Sequence, residues 1–396
     1  VPRFEPFTGL RYDPSIPLDD VVAPPYDVVT PEERTKLASR HRANSIHVEL
    51  PVDEALSGLD RYQAAARLLG SWVEEGLVRR DEAPSMYAYR MTEPAGGTTT
   101  GVIGALACEP REGDVVPHEQ TIGKDIGDRL ELLRACHANL SPIWGLSLTE
   151  GLTKAYEPKG PPQHTATDDS GTVHQLWVID DPAAIESIAH GVAQAPVLIA
   201  DGHHRYETAV AYQAERRAAR DGAPGDYDLV MALIVELTEA QLSVGAVHRV
   251  LSRVPPGIEL LEVMSRWFDC ELAGDVAQEL AGELVRSGTL ALITRDGTWA
   301  LTPRPEACRL AESNLDSSLV ALALDGVASV IPTYSYDWRD AVRAVTEGSA
   351  DATLLLRPVT VAQISNWAHK RRRMPPKSTH FHPKPRTGMV FRPVLE

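Results

Sequence analysis

Five consecutive residues, Asp201, Gly202, His203, His204 and Arg205, set a carboxylate, two imidazoles and a guanidinium around one glycine. The run before them, Val197 to Ala200, is apolar and partly β-branched, which predicts a short buried strand. Beyond them Tyr206, Ala209, Val210 and Gln213 fall at helical spacing, so the polar cluster sits where a strand hands over to a helix. Cations are unfavourable at the positive end of a helix unless something anionic joins them. A bound phosphate or carboxylate would remove that conflict, with Asp201 as the helix N-cap. The competing reading is a capped helix with a surface His pair.

Three further stretches carry more polar chemistry than packing requires. Between Val116 and Arg129, His118, Glu119, Thr121, Lys124, Asp125, Asp128 and Arg129 crowd a loop with two glycines. Glu119, beside His118, is a candidate general base, and Lys124 and Arg129 could neutralise phosphate oxygens. Composition alone allows a solvated loop equally well. The tail from Lys370 is strongly basic, with Lys377, Ser378, Thr379 and Lys384 as donors to an anion, and His382 among them. Its prolines suit an ordered binding loop; a basic extension or nucleic-acid arm is the alternative. Finally, Pro24-Pro25-Tyr26-Asp27 fixes a turn that presents a phenol and a carboxylate, although a structural corner is the simpler role. His248 and Arg249 form a weaker pair that could simply end a strand.

These groups need elements to hold them. Thr30-Pro31-Glu32-Glu33 is a helix start, and "YQAAARLLGSWVEEGLV" is an amphipathic helix ending near Gly76. "SMYAYRMTEPAGGTTTGVIGALACE" reads as a hairpin. A helix from Asp128 to His137 precedes a strand, and "RVPPG" at 253–257 is the clearest boundary. Strands and helices interleave, which indicates an α+β or mixed α/β fold.

With 396 residues the chain is long enough for two or three lobes. Its net charge of −16 disfavours a duplex nucleic-acid partner. No apolar run approaches the roughly 20 residues that span a bilayer, and the first residues lack a signal pattern; both predict a cytoplasmic protein with no membrane partner. Cys108, Cys136, Cys270 and Cys308 are scattered, which suits a reducing compartment rather than a disulfide framework or a zinc site. His203 and His204 are adjacent rather than four apart, so they cannot share a helical face as a metal pair. P-loop, Rossmann, HExxH and GxSxG signatures are missing from the sequence.

Taken in order over nearly the whole length, "APPYDV", "HEQT…GDR…ANLSPI", "ADGHHRYETA" and "MPPKSTHFHPK" resemble the DUF1015 family. The DGHHR turn is also similar to the nucleotide-binding motif of the ParB/sulfiredoxin superfamily. That resemblance implies an α+β fold. A mixed-sheet ParB/sulfiredoxin-like core at 111–255 would lie between α/β lobes at 1–110 and 256–396, with a basic loop, 370–387, folding back on the site. It gives Gly202, His204 and Arg205 the phosphate-binding role. His203 stands where sulfiredoxin has its catalytic cysteine, which argues against sulfinic-acid reduction.

Among the superfamily's members the free-serine kinases offer the closest chemistry. By that analogy Glu119 activates a substrate hydroxyl, and Asp201 orients it or holds Mg²⁺, with Asp128 a second metal candidate and His204 beside the reacting groups. Gly202, His203, Arg205, Lys124, Arg129, Lys377, Ser378, Thr379 and Lys384 would bind the nucleotide. His118, Tyr26, Asp27, His248, Arg249 and His382 would bind the substrate. The implied function is an ATP- or ADP-dependent kinase of a serine-like amino acid or related metabolite, compatible with a homodimer. The alternatives are a non-catalytic nucleotide-responsive protein, or an enzyme of another class on a phosphate- or carboxylate-bearing substrate.

Overall fold

A computed structural model describes residues 1–53, 58–109, 113–119, 126–325, 327 and 330–395. The chain forms two units, one from Val1–Ser243 with Pro383–Glu396, the other from Val244–His382.

The first unit is built on a nine-stranded sheet. Its strands are β1 (Phe4–Glu5), β2 (Met86–Thr92), β3 (Thr98–Ala107), β4 (Val115–Pro117), β5 (Ile143–Ser147), β6 (His164–Thr167), β7 (Val173–Ile179), β8 (Val197–Asp201) and β9 (Leu229–Glu236). They lie in the order β4-β8-β5-β9-β3-β2-β7-β6, with β1 paired to β3. Two neighbours are parallel, β8 with β4 and β9 with β5, while β8 and β5 run antiparallel. The fold is therefore α+β around a mixed sheet. Every residue of β9 is buried, and such strands read as continuous apolar runs rather than alternating ones.

The expected elements form for the expected reasons. Thr30 and Glu33 make a reciprocal capping box at the helix Pro31–Ala38. Asp60 caps the amphipathic helix Arg61–Glu74 through the amides of Tyr62 and Gln63. β2 and β3 form the hairpin. Ile188, Val192, Tyr206 and Ala209, from two helices, pack with Val197, Ile199, Ala232 and Ile234 of the sheet.

The segments 1–110 and 111–255 do not each make a sheet of their own. β1 to β3 come from the first and β4 to β9 from the second, all in one sheet. The last residues also belong here: Thr387 exchanges backbone hydrogen bonds with Ala23, and Phe391 bridges to Leu10. Arg392, 1% exposed, donates to Asn139 and to the carbonyls of Leu229 and Asp226.

The second unit holds a six-stranded sheet with β10 (His248–Leu251), β11 (Phe268–Gly274), β12 (Leu290–Thr294), β13 (Gly297–Pro303), β14 (Thr333–Ser335) and β15 (Ala352–Leu355), in the order β11-β13-β12-β15-β10-β14. Its division from the first unit comes before the 253–257 turn expected as the boundary, because β10 finds its partners C-terminal to that turn, in β14 and β15. Among the described residues no helix is long and apolar enough to cross a membrane.

Candidate functional site

β4 and β8 run parallel in the register Val197–Val115, Leu198–Val116, Ile199–Pro117. That register brings residues 118–119 beside the C-terminal end of β8, where open α/β sheets place their ligands. Gly202 follows at φ 84°, the left-handed region that glycine adopts at little cost. A Cβ on Gly202 would come within 3.0 Å of the Arg205 guanidinium, so the missing side chain lets Arg205 curl back over the turn. The helix His203–Ala219 then begins with no side-chain cap.

Asp201 is not the N-cap that the sequence suggested; Gly202 holds that position. Asp201 instead accepts from Arg205 Nη2 at 2.8 Å and from Lys384 Nζ at 2.6 Å. The cations at the helix start thus have an anion within the chain itself. Burial alone would raise the Asp201 pKa, but Lys384 and Arg205 outweigh it and hold the carboxyl well below the usual range. Lys384 is raised in turn: burial works against its charge, and Asp201 and Asp27 more than offset that. Asp27 lies 3.5 Å from the same ammonium.

Arg205 also donates to Ser141 Oγ at 3.2 Å and to the Pro142 carbonyl. Ser141 in turn donates to the carboxylate of Glu49 at 2.9 Å. Glu49, 2% exposed, ends the helix Ile46–Glu49, and burial pushes its pKa up against the opposing pull of Arg129 and Arg205. Arg129 donates to the Glu49 carbonyl at 2.6 Å and stacks over the Tyr26 ring, 4.3 Å from its centroid. Burial likewise raises the Tyr26 phenol, with Arg205 opposing. Glu49, Ser141 and Thr208 line a cavity of about 60 Å³ together with Arg129 and Arg205.

On the other side of Gly202, the His203 and His118 rings lie 5.2 Å apart, tilted by 34°. His118 Nδ1 lies 2.6 Å from the Ile199 carbonyl. A carbonyl only accepts, so that nitrogen carries the proton and Nε2 is the basic one in the neutral ring. Nε2 is 3.5 Å from Glu119, which is 14% exposed. His204 Nδ1 lies 3.4 Å from Glu207.

Tyr26, Asp27, His118, Glu119, Arg129, Asp201, Gly202, His203, Arg205 and Lys384 thus fall within one network of contacts in the first unit. Lys124 lies outside the described residues. Asp128 faces cations: Arg61, Arg129 and the Tyr62 hydroxyl all donate to it, and these outweigh burial to lower its pKa. Among the described residues no three His, Cys, Asp or Glu side chains are grouped to hold a metal. With Asp201 and Asp128 each already bonded to two positive side chains, these residues do not fit a resident Mg²⁺, which wants oxygen ligands at near-octahedral positions.

The remaining candidates lie in the second unit. His248 is buried and accepts the Leu356 amide through Nδ1, and burial takes its pKa down to about 4. Arg249 donates to the carbonyls of Val247 and Lys377. Lys377 donates to the Tyr336 hydroxyl, Ser378 to the Pro375 carbonyl, and Thr379 is 9% exposed. His382 stacks on His380. Sequence reading missed Glu49 and Ser141. Ser141 sits in "ANLSPI", one of the stretches that carried the family resemblance, whereas Glu49 in "IHVELP" stands between Val48 and Leu50 with His47 the other polar residue of that stretch.

The family model described as protein of unknown function (DUF1015) matches residues 4–325, and the chain belongs to this family. No curated protein matches the sequence. Among solved structures, a free serine kinase in complex with AMP is 14% identical, covering 68% of this chain and 84% of its own, with a TM-score of 0.37. SbnI from Staphylococcus aureus, truncated at its C-terminus, is 13% identical over 71% and 82%, with a TM-score of 0.38. A conserved hypothetical protein from Pyrococcus furiosus is 14% identical over 68% and 87%, with a TM-score of 0.35. These are distant likenesses.

Proposed function

We propose that the protein is a nucleotide-dependent kinase of a small hydroxyl compound, an amino acid or related metabolite, with ATP or ADP as phosphoryl donor. The observation that carries this reading is the uncapped helix start at Gly202, with Arg205 and Lys384 on one side and the His118–Glu119 pair on the other. First-turn amides of such a helix end, backed by a guanidinium and an ammonium, form an anion-binding arrangement suited to phosphates. Glu119 is the base: it takes the acceptor's hydroxyl proton, the oxygen attacks the terminal phosphorus, and the shortened nucleotide leaves. Phosphoryl transfer needs positioning and charge neutralisation more than covalent help.

The other groups take supporting roles. His118, anchored through Nδ1 to the sheet, keeps its ring beside Glu119, with Nε2 3.5 Å from that carboxylate. Asp201 holds Arg205 and Lys384 when no phosphate is there, and Tyr26 and Asp27 border the acceptor. The protein, incubated with ATP, Mg²⁺ and a panel of hydroxy amino acids, should give a phosphorylated product by mass spectrometry. ATP binding with no product from any acceptor would overturn the kinase and leave a nucleotide-responsive binding protein. Glu119→Gln separates the same two readings: turnover should fall by about 10²–10⁴ while ATP affinity stays.

A further inference from the structure

Among the described residues Lys384 is the one ammonium that reaches Asp201, and a second network gathers around Arg386, just beyond it in the chain. Asp168 accepts through Oδ1 from the Ser170 hydroxyl at 2.6 Å and from the amides of Ser170 and Thr172 at 2.8 and 3.0 Å. Its Oδ2 lies 3.1 Å from His174 Nε2 and accepts from the Arg386 guanidinium. His174 is 0% exposed, and its Nδ1 lies 2.7 Å from the Tyr89 hydroxyl. That hydroxyl also accepts the backbone amide of Arg386 at 3.1 Å.

One arrangement of protons satisfies all these contacts with a neutral imidazole. The carboxylate can only accept, so His174 Nε2 carries the proton and donates to it. Nδ1 is then an acceptor, and the Tyr89 O–H donates to it while its oxygen receives the Arg386 amide. Arg386 Nε, 3.4 Å from the same Nε2, is then a poor partner for that nitrogen, and the guanidinium is held by Asp168. Burial, the main influence on His174, favours this neutral form.

We infer that Tyr89, His174 and Asp168 are positioning residues that set Lys384 in the phosphate site by clamping both the main chain and the side chain of Arg386. The clamp sits next to another fixed point, since Thr387 pairs with the Ala23 backbone and its carbonyl accepts the Ser45 hydroxyl. Ala23 leads directly into Pro24–Asp27, so the same anchorage places Asp27 beside Lys384. With 386 and 387 held at three points, the Lys384 ammonium has little choice of position. None of the clamp residues touches Asp201, Arg205 or Glu119 in these contacts; they act through the chain.

This inference rests on the phosphate-binding role of Lys384 for its importance, but its geometry can be read without nucleotide. The reactivity of Lys384 toward an acylating reagent, followed by peptide mass spectrometry, reports its position directly. Tyr89→Phe and His174→Ala should each raise Lys384 labelling about tenfold over the unchanged chain, while exposed Lys154 labels at the same rate in all. His174→Gln, whose amide can donate and accept in place of the ring, should restore most of the protection. ATP affinity should fall about tenfold in Tyr89→Phe, and adding Lys384→Met should weaken it no further, because both changes remove the same contact. Unchanged Lys384 labelling in both disrupting variants, or additive losses in the double variant, would overturn the clamp. Should Tyr89→Phe fail to fold cooperatively, the His174 pair decides alone. If the unchanged chain binds no ATP, the proposed function fails and the labelling still decides this inference.

Discussion

Asp168 and Asp201 are both mostly shielded carboxylates, their side chains 6% and 17% exposed, held ionised far below their usual pKa, yet they are built for different ends. Asp168 takes two amides, a hydroxyl, an imidazole and a guanidinium, and a neighbouring phenol completes the network. Among the described residues Asp201 takes only an ammonium and a guanidinium, and both of those cations face other acceptors as well. A carboxylate bound by fixed neutral dipoles has no substitute, since nothing else fits those donors in that geometry. One bound by mobile cations can be replaced by a different anion that offers the same charge. The first is a fastening, the second a placeholder for phosphate.

The largest effect that tests this contrast is on stability. Asp168→Asn leaves the Arg386 guanidinium buried without its counter-charge, which should cost about 3–5 kcal/mol in denaturant unfolding. Asp201→Asn should cost less, about 1–3 kcal/mol, because Lys384 keeps Asp27 and Arg205 keeps Ser141 and the Pro142 carbonyl. Equal losses at the two positions would erase the distinction.

Next in size is a gain. With its carboxylate gone, Asp201→Asn should bind inorganic phosphate or ATP about tenfold more tightly by calorimetry, since the anion no longer displaces a competitor. Weaker binding, dependent on Mg²⁺, would instead make Asp201 a metal ligand. Gly202→Ala comes third. A side chain at φ 84° meeting the Arg205 guanidinium should cost about 1–2 kcal/mol and loosen phosphate binding.

The smallest effect is a difference in pH dependence. Depressed carboxylates contribute stability that is complete above the unfolded value of about 3.9 and lost as pH falls toward the folded value, so both aspartates act only below about pH 4. His174, kept neutral by burial, works at higher pH: folding loses stability as pH falls below the unfolded value of about 6.5 and levels off at its lowered folded value. His164 and His248, both taken down to about 4, add to that limb. His174→Gln should therefore flatten the stability curve as pH falls below about 6.5 relative to the unchanged chain, while Asp201→Asn alters it only below about pH 4. An unaltered slope in His174→Gln would remove the imidazole from the clamp.

Much of the first unit was legible in the sequence because its signals are local. The Thr30–Glu33 box, the 61–74 stripe and the run from Val197 into the glycine turn each depend on residues within a few positions of one another. Arg205 was legible for the same reason. Lys384 was visible as a cation in a proline-braced stretch, but not its partner, which lies at the end of a strand far earlier in the chain. The tail was read as one binding loop, yet it divides between units, with Lys377, Ser378, Thr379 and His382 in one and Lys384 in the other. Asp201 was misjudged because a lone carboxylate before a helix ordinarily caps it; here glycine's left-handed turn takes the cap position and frees the carboxylate for cations brought from elsewhere. Glu49 could not have been found, since a single acid in an apolar stretch reads as surface until the fold encloses it.

The segment 383–396 closes the first unit although residues 244–382 form the second. On the ribosome, where domains fold as they emerge, the sheet of the first unit is made early while Asp201, Tyr89 and Ala23 wait for partners that follow the whole second unit in the chain. A chain stalled anywhere in the second unit would carry the glycine turn and Arg205 but not the Lys384 ammonium. Completion of the site is thereby tied to synthesis of residues 383–396, and a product truncated before them would lack the phosphate contact that Lys384 supplies.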